Sequence, residues 1–290
     1  MTKSQPRRFG DVDYRLEDAV AVVTMSHPPV NGLGLDVRRG LIAAFEEARR
    51  DSRVAAIVLN GSGPGFSAGG DIREFGTQAA TAEPALSLHV HPVIEASDKP
   101  VVAAIHGFAI GGGLETALVC HYRLVADSAR IGLPERKLGV IPLSGTQRLP
   151  RVLGLEKSIE VILGAQIVPA KTFSGTALFD QIEEGDDQQV LRLAIELARE
   201  KIGTRSLPLI RRLPLPDRDP IAIVAEARAR LASSEAMANE CLNAIAAAAE
   251  SADFEAGLAA ARAIYDRLIV SDEVSRQRDR FFKSQSDVAR

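Results

Sequence analysis

Two apolar runs, "VAAIVLNG" and "VVAAIHG", are each followed at once by a glycine-rich loop, "NGSGPGFSAGGDI" and "GFAIGGGLE". A continuous apolar run of this length, rich in β-branched residues, reads as a strand covered on both faces. Helical patterns intervene. "LDVRRGLIAAFEEARRD" places Leu35, Val37, Leu41, Ile42 and Phe45 at helical spacing and ends in a basic turn, while "DIREF" and "LETALVC" read as helices opening after the loops. Apolar strands alternating with helices define an α/β fold. An earlier run, "AVAVVTM" from Ala19 to Met25, reads as a further strand, and "SHPPVNGLG" as the loop after it.

Beyond about residue 190 the pattern is helical only, in "QQVLRLAIELAREKI", "IAIVAEARARLAS", "ECLNAIAAAAES" and "FEAGLAAARAIYDRLIVS", divided by the proline-rich "LPLIRRLPLPDRDP". The expected organisation is an α/β core over 11–190 and a helical region over 191–290. With 290 residues and a formal charge of -3, the chain has core-forming capacity but no basic surplus for nucleic acid. There is no Trp, and aromatics make up 4% of the chain, too few for a single-strand stacking platform. Cys120 and Cys241 lie in apolar segments without ligand or framework spacing and read as reduced core thiols, so a cytoplasmic location is expected. No run has the length and apolarity of a membrane span; the N-terminal "MTKSQPRRFGDVDYR" lacks the apolar stretch of a secretory signal, which leaves a weak organelle presequence as the open alternative, and the C-terminal "DVAR" is not a retention or peroxisomal tripeptide.

The glycines of "GFAIGGGLE" cost regular structure about 0.5–1 kcal/mol each, and Glu115 is a carboxylate in an apolar run. Both costs fit a site where backbone N–H groups approach a ligand beside an acid. Neither loop completes G-x-G-x-x-G and no Walker lysine follows, so a dinucleotide or phosphate cradle is disfavoured. N–H groups from two loops would instead form an oxyanion hole for a carbonyl oxygen gaining charge. "GLPERKLGVIP" adds a second carboxylate, Glu135, and two carboxylates supply a proton donor and acceptor. His89 and His91 alternate like a strand or loop pair, with no third metal ligand near in sequence; His106 and His121, the latter on an apolar helix, read as satisfied core residues.

"GFSAGGDI", "GFAIGGGLETAL" and "GLPERKLGVIP", in this order, resemble the signatures of the enoyl-CoA hydratase/isomerase family, the crotonases. "HPPVN", "CHYR", "GTQRLPR" and "FFK" are similar to the N-terminal hydratase part of multifunctional fatty-acid β-oxidation enzymes. The resemblance covers roughly Val20 to Asp186 and implies a spiral of β-β-α turns. It assigns the oxyanion N–H groups to Ala68 and Gly112, the acid/base pair to Glu115 and Glu135, and coenzyme A contacts to Ala68, Gly70, Asp71, Ile72 and Gly112. Glu115 would position water and Glu135 would exchange the α-carbon proton. No metal or separate cofactor is implied, coenzyme A being part of the acyl-CoA substrate. The resemblance also implies either a homotrimer or hexamer, or fusion to or association with a 3-hydroxyacyl-CoA dehydrogenase. One departure stands out. The family's "PGAGGTQ" is here "PLSGTQ", one residue shorter, with Leu143 where a glycine contributes a backbone contact near the catalytic water. Hydration of a 2-enoyl-CoA is the leading reading; double-bond isomerisation with weak hydration, or a non-catalytic binding role, are the alternatives.

Overall fold

The computed structural model describes residues 6–288. Strands β1 (Arg7–Phe9), β2 (Val12–Glu17) and β3 (Val20–Met25) form an antiparallel meander. Helix α1 (Leu35–Arg50) then crosses to β4 (Ala56–Gly61), parallel to β3. Of the five positions named from the spacing, Val37, Leu41 and Phe45 are buried and Leu35 and Ile42 half-buried, while Ala44 and Ala48 complete the buried stripe. Gly40 lets α1 approach β1 closely, since a Cβ there would lie 2.2 Å from the Phe9 carbonyl oxygen.

The chain next forms a turn of helix at Leu86–Val90, α2 (His91–Glu95) and β5 (Val101–Ile105), parallel to β4. From here each circuit leaves one strand in a large sheet and one in a small sheet. β6 (Phe108–Ile110) leads to α3 (Gly112–Leu118), β7 (Tyr122–Ala126) and β8 (Arg130–Gly132). Helices α4 (Gly145–Leu153) and α5 (Leu155–Gly164) follow, then β9 (Val168–Pro169), β10 (Gln181–Glu183) and α6 (Asp187–Glu200). The large sheet has the order β1-β2-β3-β4-β5-β7-β10 and the small one β6-β8-β9. Every residue of β4 and β5 is buried, which accounts for their unbroken apolar runs. The chain closes with α7 (Pro220–Arg230), α8 (Ala236–Glu250), α9 (Phe254–Ile269) and α10 (Asp272–Val288).

The division expected at 190/191 is not the one the packing makes. One compact unit takes the chain up to Gly70, Glu83–Ile131 and Ile167–Ile210; the other takes Asp71–Ala82, Gly132–Gln166 and the chain from Arg211 onward. The reason lies in which apolar faces meet. Helix α6 buries Val190, Ala194 and Leu197 and packs on β4, β5 and β7, so it belongs with the sheet. Helices α4 and α5 pack on α8 and so join the helical unit, although they precede residue 190. "DIREF" is a series of turns rather than a helix. The Glu74 and Phe75 N–H groups donate to the carbonyls three residues back, of Asp71 and Ile72, and Gly76 at φ 70° ends the run before a helical bond spans four residues.

Cys120 and Cys241 are free and buried. Their thiols are both pushed up to about 12, chiefly by burial. No helix among the described residues is long and apolar enough to cross a membrane. His121 sits in a bend between α3 and β7 rather than on a helix, 1% exposed, and its Nδ1 accepts from the Val101 N–H at 3.0 Å. Burial lowers its pKa from 6.5 to about 4. Between these values only the unfolded chain takes up the proton, so His121 contributes stability that is complete above about pH 6.5 and is lost as pH falls toward 4. His121→Asn keeps an acceptor for Val101 and removes the titration. Denaturant unfolding should therefore fall less steeply in this variant from pH 7 to pH 4, by about 3 kcal/mol in total.

Candidate active site

The glycine loops after β4 and β5 lie side by side, backbone against backbone. Ser67 forms an isolated parallel bridge with Ala109, and the Ile110 N–H donates to the Ser67 carbonyl at 3.0 Å. Glycines permit the approach at two points. Gly69 has φ +94°, and a Cβ there would lie 2.6 Å from the Ile110 oxygen and 3.0 Å from the Gly112 nitrogen. A Cβ on Gly113 would lie 2.4 Å from the Ser67 oxygen. Helix α3 begins at this contact, preceded by Gly111 at φ 55°. As the first residue of α3, Gly112 has an N–H with no intrahelical acceptor.

The loop after β4 is held from behind by Asn31, which lies in the "SHPPVNGLG" loop after β3. Asn31 is 1% exposed and adopts φ 52°. Its Nδ2 donates to the carbonyls of Ser62 (2.8 Å) and Gly65 (2.9 Å), and its Oδ1 accepts from the His27 N–H (3.0 Å). The Ser67 hydroxyl donates to the Asn31 carbonyl at 2.7 Å. An asparagine after two prolines and before a glycine signals a left-handed turn, but nothing in that signal reveals its partners.

The Ala68 N–H, expected as one oxyanion donor, donates to the Val30 carbonyl at 3.0 Å. That bond occupies the group and corrects the expectation. Two residues on, the Gly70 nitrogen lies 3.4 Å from where a Gly112 Cβ would stand. Among the described residues neither the Gly70 nor the Gly112 N–H donates to a protein acceptor. Glu115 lies one turn along α3 from Gly112, 6% exposed, with its N–H donating to the Gly111 carbonyl. The first compact unit therefore holds Ala68, Gly70, Gly112 and Glu115.

Asp71, Ile72 and Glu135 fall in the second unit. Asp71 is paired with Arg73 at 2.6 Å, and its carbonyl accepts from the Glu74 N–H, while that of Ile72 accepts from Phe75. Glu135 opens a short 3-10 turn, Glu135–Leu138, which Gly139 ends at φ 81°. It is 9% exposed, and helices α8 and α10 pack on its turn. Its charge is one of the influences that raise the Cys241 thiol, after burial. Leu143 is 6% exposed, and its carbonyl accepts from the Thr146 hydroxyl at 2.9 Å.

The histidines are structural in their contacts. His89 and His91 lie on helical turns, not a strand or loop: His89 Nδ1 accepts from the Ala85 N–H, and His91 Nε2 lies 3.2 Å from the Thr116 hydroxyl. His106 Nε2 donates to the Gly63 carbonyl at 3.0 Å. Among the described residues no cluster of three His, Cys, Asp or Glu side chains is placed to hold a metal.

A spiral α/β fold with apposed glycine loops and a carboxylate in the first turn after them is that of the crotonases. The family model for enoyl-CoA hydratase/isomerase matches residues 15–208, and the chain belongs to that family. The peroxisomal bifunctional enzyme of Danio rerio is 42% identical over 189 residues, covering 64% of this chain and 25% of the relative. The chain thus spans about a quarter of the length of that relative. A Bacillus subtilis (strain 168) protein named "Probable enoyl-CoA hydratase" is 37% identical over 192 residues, covering 64% of this chain and 74% of the relative. A solved enoyl-CoA hydratase/carnithine racemase from Magnetospirillum magneticum superposes with a TM-score of 0.58 at 31% identity, covering 87% of this chain and 92% of that one.

Asn31→Ala should strand the buried Gly65 carbonyl and remove the partners of the part-buried Ser62 carbonyl and His27 N–H, at about 1–3 kcal/mol for a buried group left unmet. Urea unfolding should show at least that loss for the first group. Parental stability would mean that the loop does not depend on Asn31.

Proposed function

We propose that the chain is an enoyl-CoA hydratase, adding water across the double bond of a 2-enoyl-CoA thioester. The observation that carries this reading is the apposition of the Gly70 and Gly112 backbone nitrogens, with the buried Glu115 one turn beyond. The two N–H groups receive the thioester oxygen. As water oxygen bonds to C3, the C2–C3 π electrons move toward the carbonyl, and negative charge grows on the oxygen they hold. A preorganised donor of this kind is worth about 10²–10³ in rate. Glu115 orients the water and takes its proton, and Glu135 delivers a proton to C2, so the product is a 3-hydroxyacyl-CoA. The backbone of Gly70, Asp71 and Ile72 receives the adenine end of coenzyme A, which belongs to the substrate, and the scheme uses no separate cofactor.

The length ratio to the Danio rerio relative supports a further part of the proposal, that a 3-hydroxyacyl-CoA dehydrogenase, fused or associated, takes up this product. Isomerisation of a 3-enoyl-CoA is the second reading, favoured by one observation. The buried Leu143 stands where the family's glycine offers a backbone contact to water. Proton exchange at C2 is common to both reactions, whereas water activation belongs to hydration alone.

Glu135→Gln should therefore reduce both hydration of 2-enoyl-CoA and migration of the 3-enoyl double bond by about 10²–10⁴. Glu115→Gln should reduce hydration by a similar factor and isomerisation less. The conjugated enoyl absorbance follows both, falling on hydration and rising on isomerisation. Retention of a saturated acyl-CoA by both variants separates chemistry from binding, and Glu135→Gln hydrating at the parental rate would end the reading.

A further inference from the structure

Behind the first turn of α3 runs a buried polar chain that the reaction scheme leaves unused. The Thr116 hydroxyl lies 2.7 Å from the Gly112 carbonyl oxygen, four residues back along the helix, and donates to it. His91 Nε2 lies 3.2 Å from the same hydroxyl. Thr116 is 0% and His91 1% exposed. A hydroxyl has a single proton, and here it goes to Gly112, so at the second contact the hydroxyl accepts. His91 must then carry its proton on Nε2. The direction of the whole chain follows: imidazole N–H to hydroxyl, hydroxyl to carbonyl.

This chain ends on the residue whose orientation matters most. The peptide plane before Gly112 is fixed because the Gly111 carbonyl accepts from the Glu115 N–H at 3.0 Å. The plane after it is fixed by Thr116. Glycine at this position has no side chain to resist rotation, and the first turn of a helix is the part most prone to fray. A threonine bonding back four residues is common, but alone its hydroxyl can turn away. The imidazole of α2 removes that freedom and ties α3 to a second helix. Neither residue type was singled out for this role by the sequence, since "LETAL" reads as an ordinary apolar turn.

We infer that Thr116 and His91 are positioning residues that hold the Gly112 N–H in the direction the thioester oxygen requires. The inference rests on the reading that Gly112 receives that oxygen.

The test compares the parent with Thr116→Val, which keeps the shape and removes the hydroxyl, and Thr116→Ser, which restores it. Turnover of a short 2-enoyl-CoA is measured together with the infrared carbonyl stretch of bound butyryl-CoA labelled at the thioester carbon. Thr116→Val should lower kcat and kcat/KM together by about 10- to 100-fold, the signature of a lost transition-state interaction. Its bound carbonyl should move back toward the frequency in water, and Thr116→Ser should return both. His91→Gln should show the same direction with a smaller effect. If Thr116→Val fails to fold, Thr116→Ala is read in its place. Parental kcat and parental carbonyl frequency in the hydroxyl-free variant overturn the inference, as does a variant that only melts earlier with its carbonyl unmoved. If the parent itself leaves the carbonyl at its frequency in water, the oxyanion reading fails and the inference with it.

Discussion

The arrangement of Gly70, Gly112 and Glu115 depends on two stretches of backbone coming closer than side chains would allow. At Gly69 and Gly113 the loop after β4 and the loop after β5 meet at distances of 2.4–3.0 Å from where a Cβ would be, and the Ser67–Ala109 bridge fixes their register. Close contact of this kind turns a costly choice of residues into a gain. The glycines surrender conformational entropy on folding, and in return the Gly70 and Gly112 N–H groups are left with no acceptor among the described residues. A helix start at the same point adds its dipole to the same region.

The surroundings convert that contact into a stiff one. Asn31 ties the left-handed turn after β3 to the carbonyls of Ser62 and Gly65, and Ser67 bonds back to Asn31, so the turn and the loop after β4 share one hydrogen-bond set. On the far side, Arg123 is 5% exposed; its guanidinium donates to the Leu178 and Cys120 carbonyls and pairs with Asp180 at 3.1 Å. Fully met polar groups of this kind rigidify a core, whereas any one of them left unmet would weaken it. The carboxylate of Glu115 is thus carried on an element whose neighbours on both sides are locked.

Much of this was legible in the residues. The apolar runs located β4 and β5, because strands buried on both faces admit no polar alternation, and the spacing of Val37, Leu41 and Phe45 located α1. What escaped was decided by geometry that no spacing encodes. Which N–H in "FSAGGD" is left without an acceptor depends on the backbone path: the Ala68 N–H bonds the Val30 carbonyl, and past Gly69, at φ +94°, the Gly70 nitrogen lies beside Gly112. The "DIREF" segment closes in three-residue turns instead of a helix, and Gly76 at φ 70° ends it. The boundary at 190 failed because periodicity shows that α6 has an apolar face without showing that the sheet, rather than α8, covers it. His91 gave no sign of its partner Thr116, which is 25 residues away in the chain.

The central claim is that the thioester oxygen is received by the Gly70 and Gly112 N–H groups and not by Ala68. A crystal structure with a bound acyl-CoA tests it most directly. The account predicts the thioester oxygen about 2.7–3.1 Å from both the Gly70 and Gly112 nitrogens, with the Ala68 N–H still bonded to the Val30 carbonyl. An oxygen seated on the Ala68 nitrogen, with the Val30 bond broken, would contradict it.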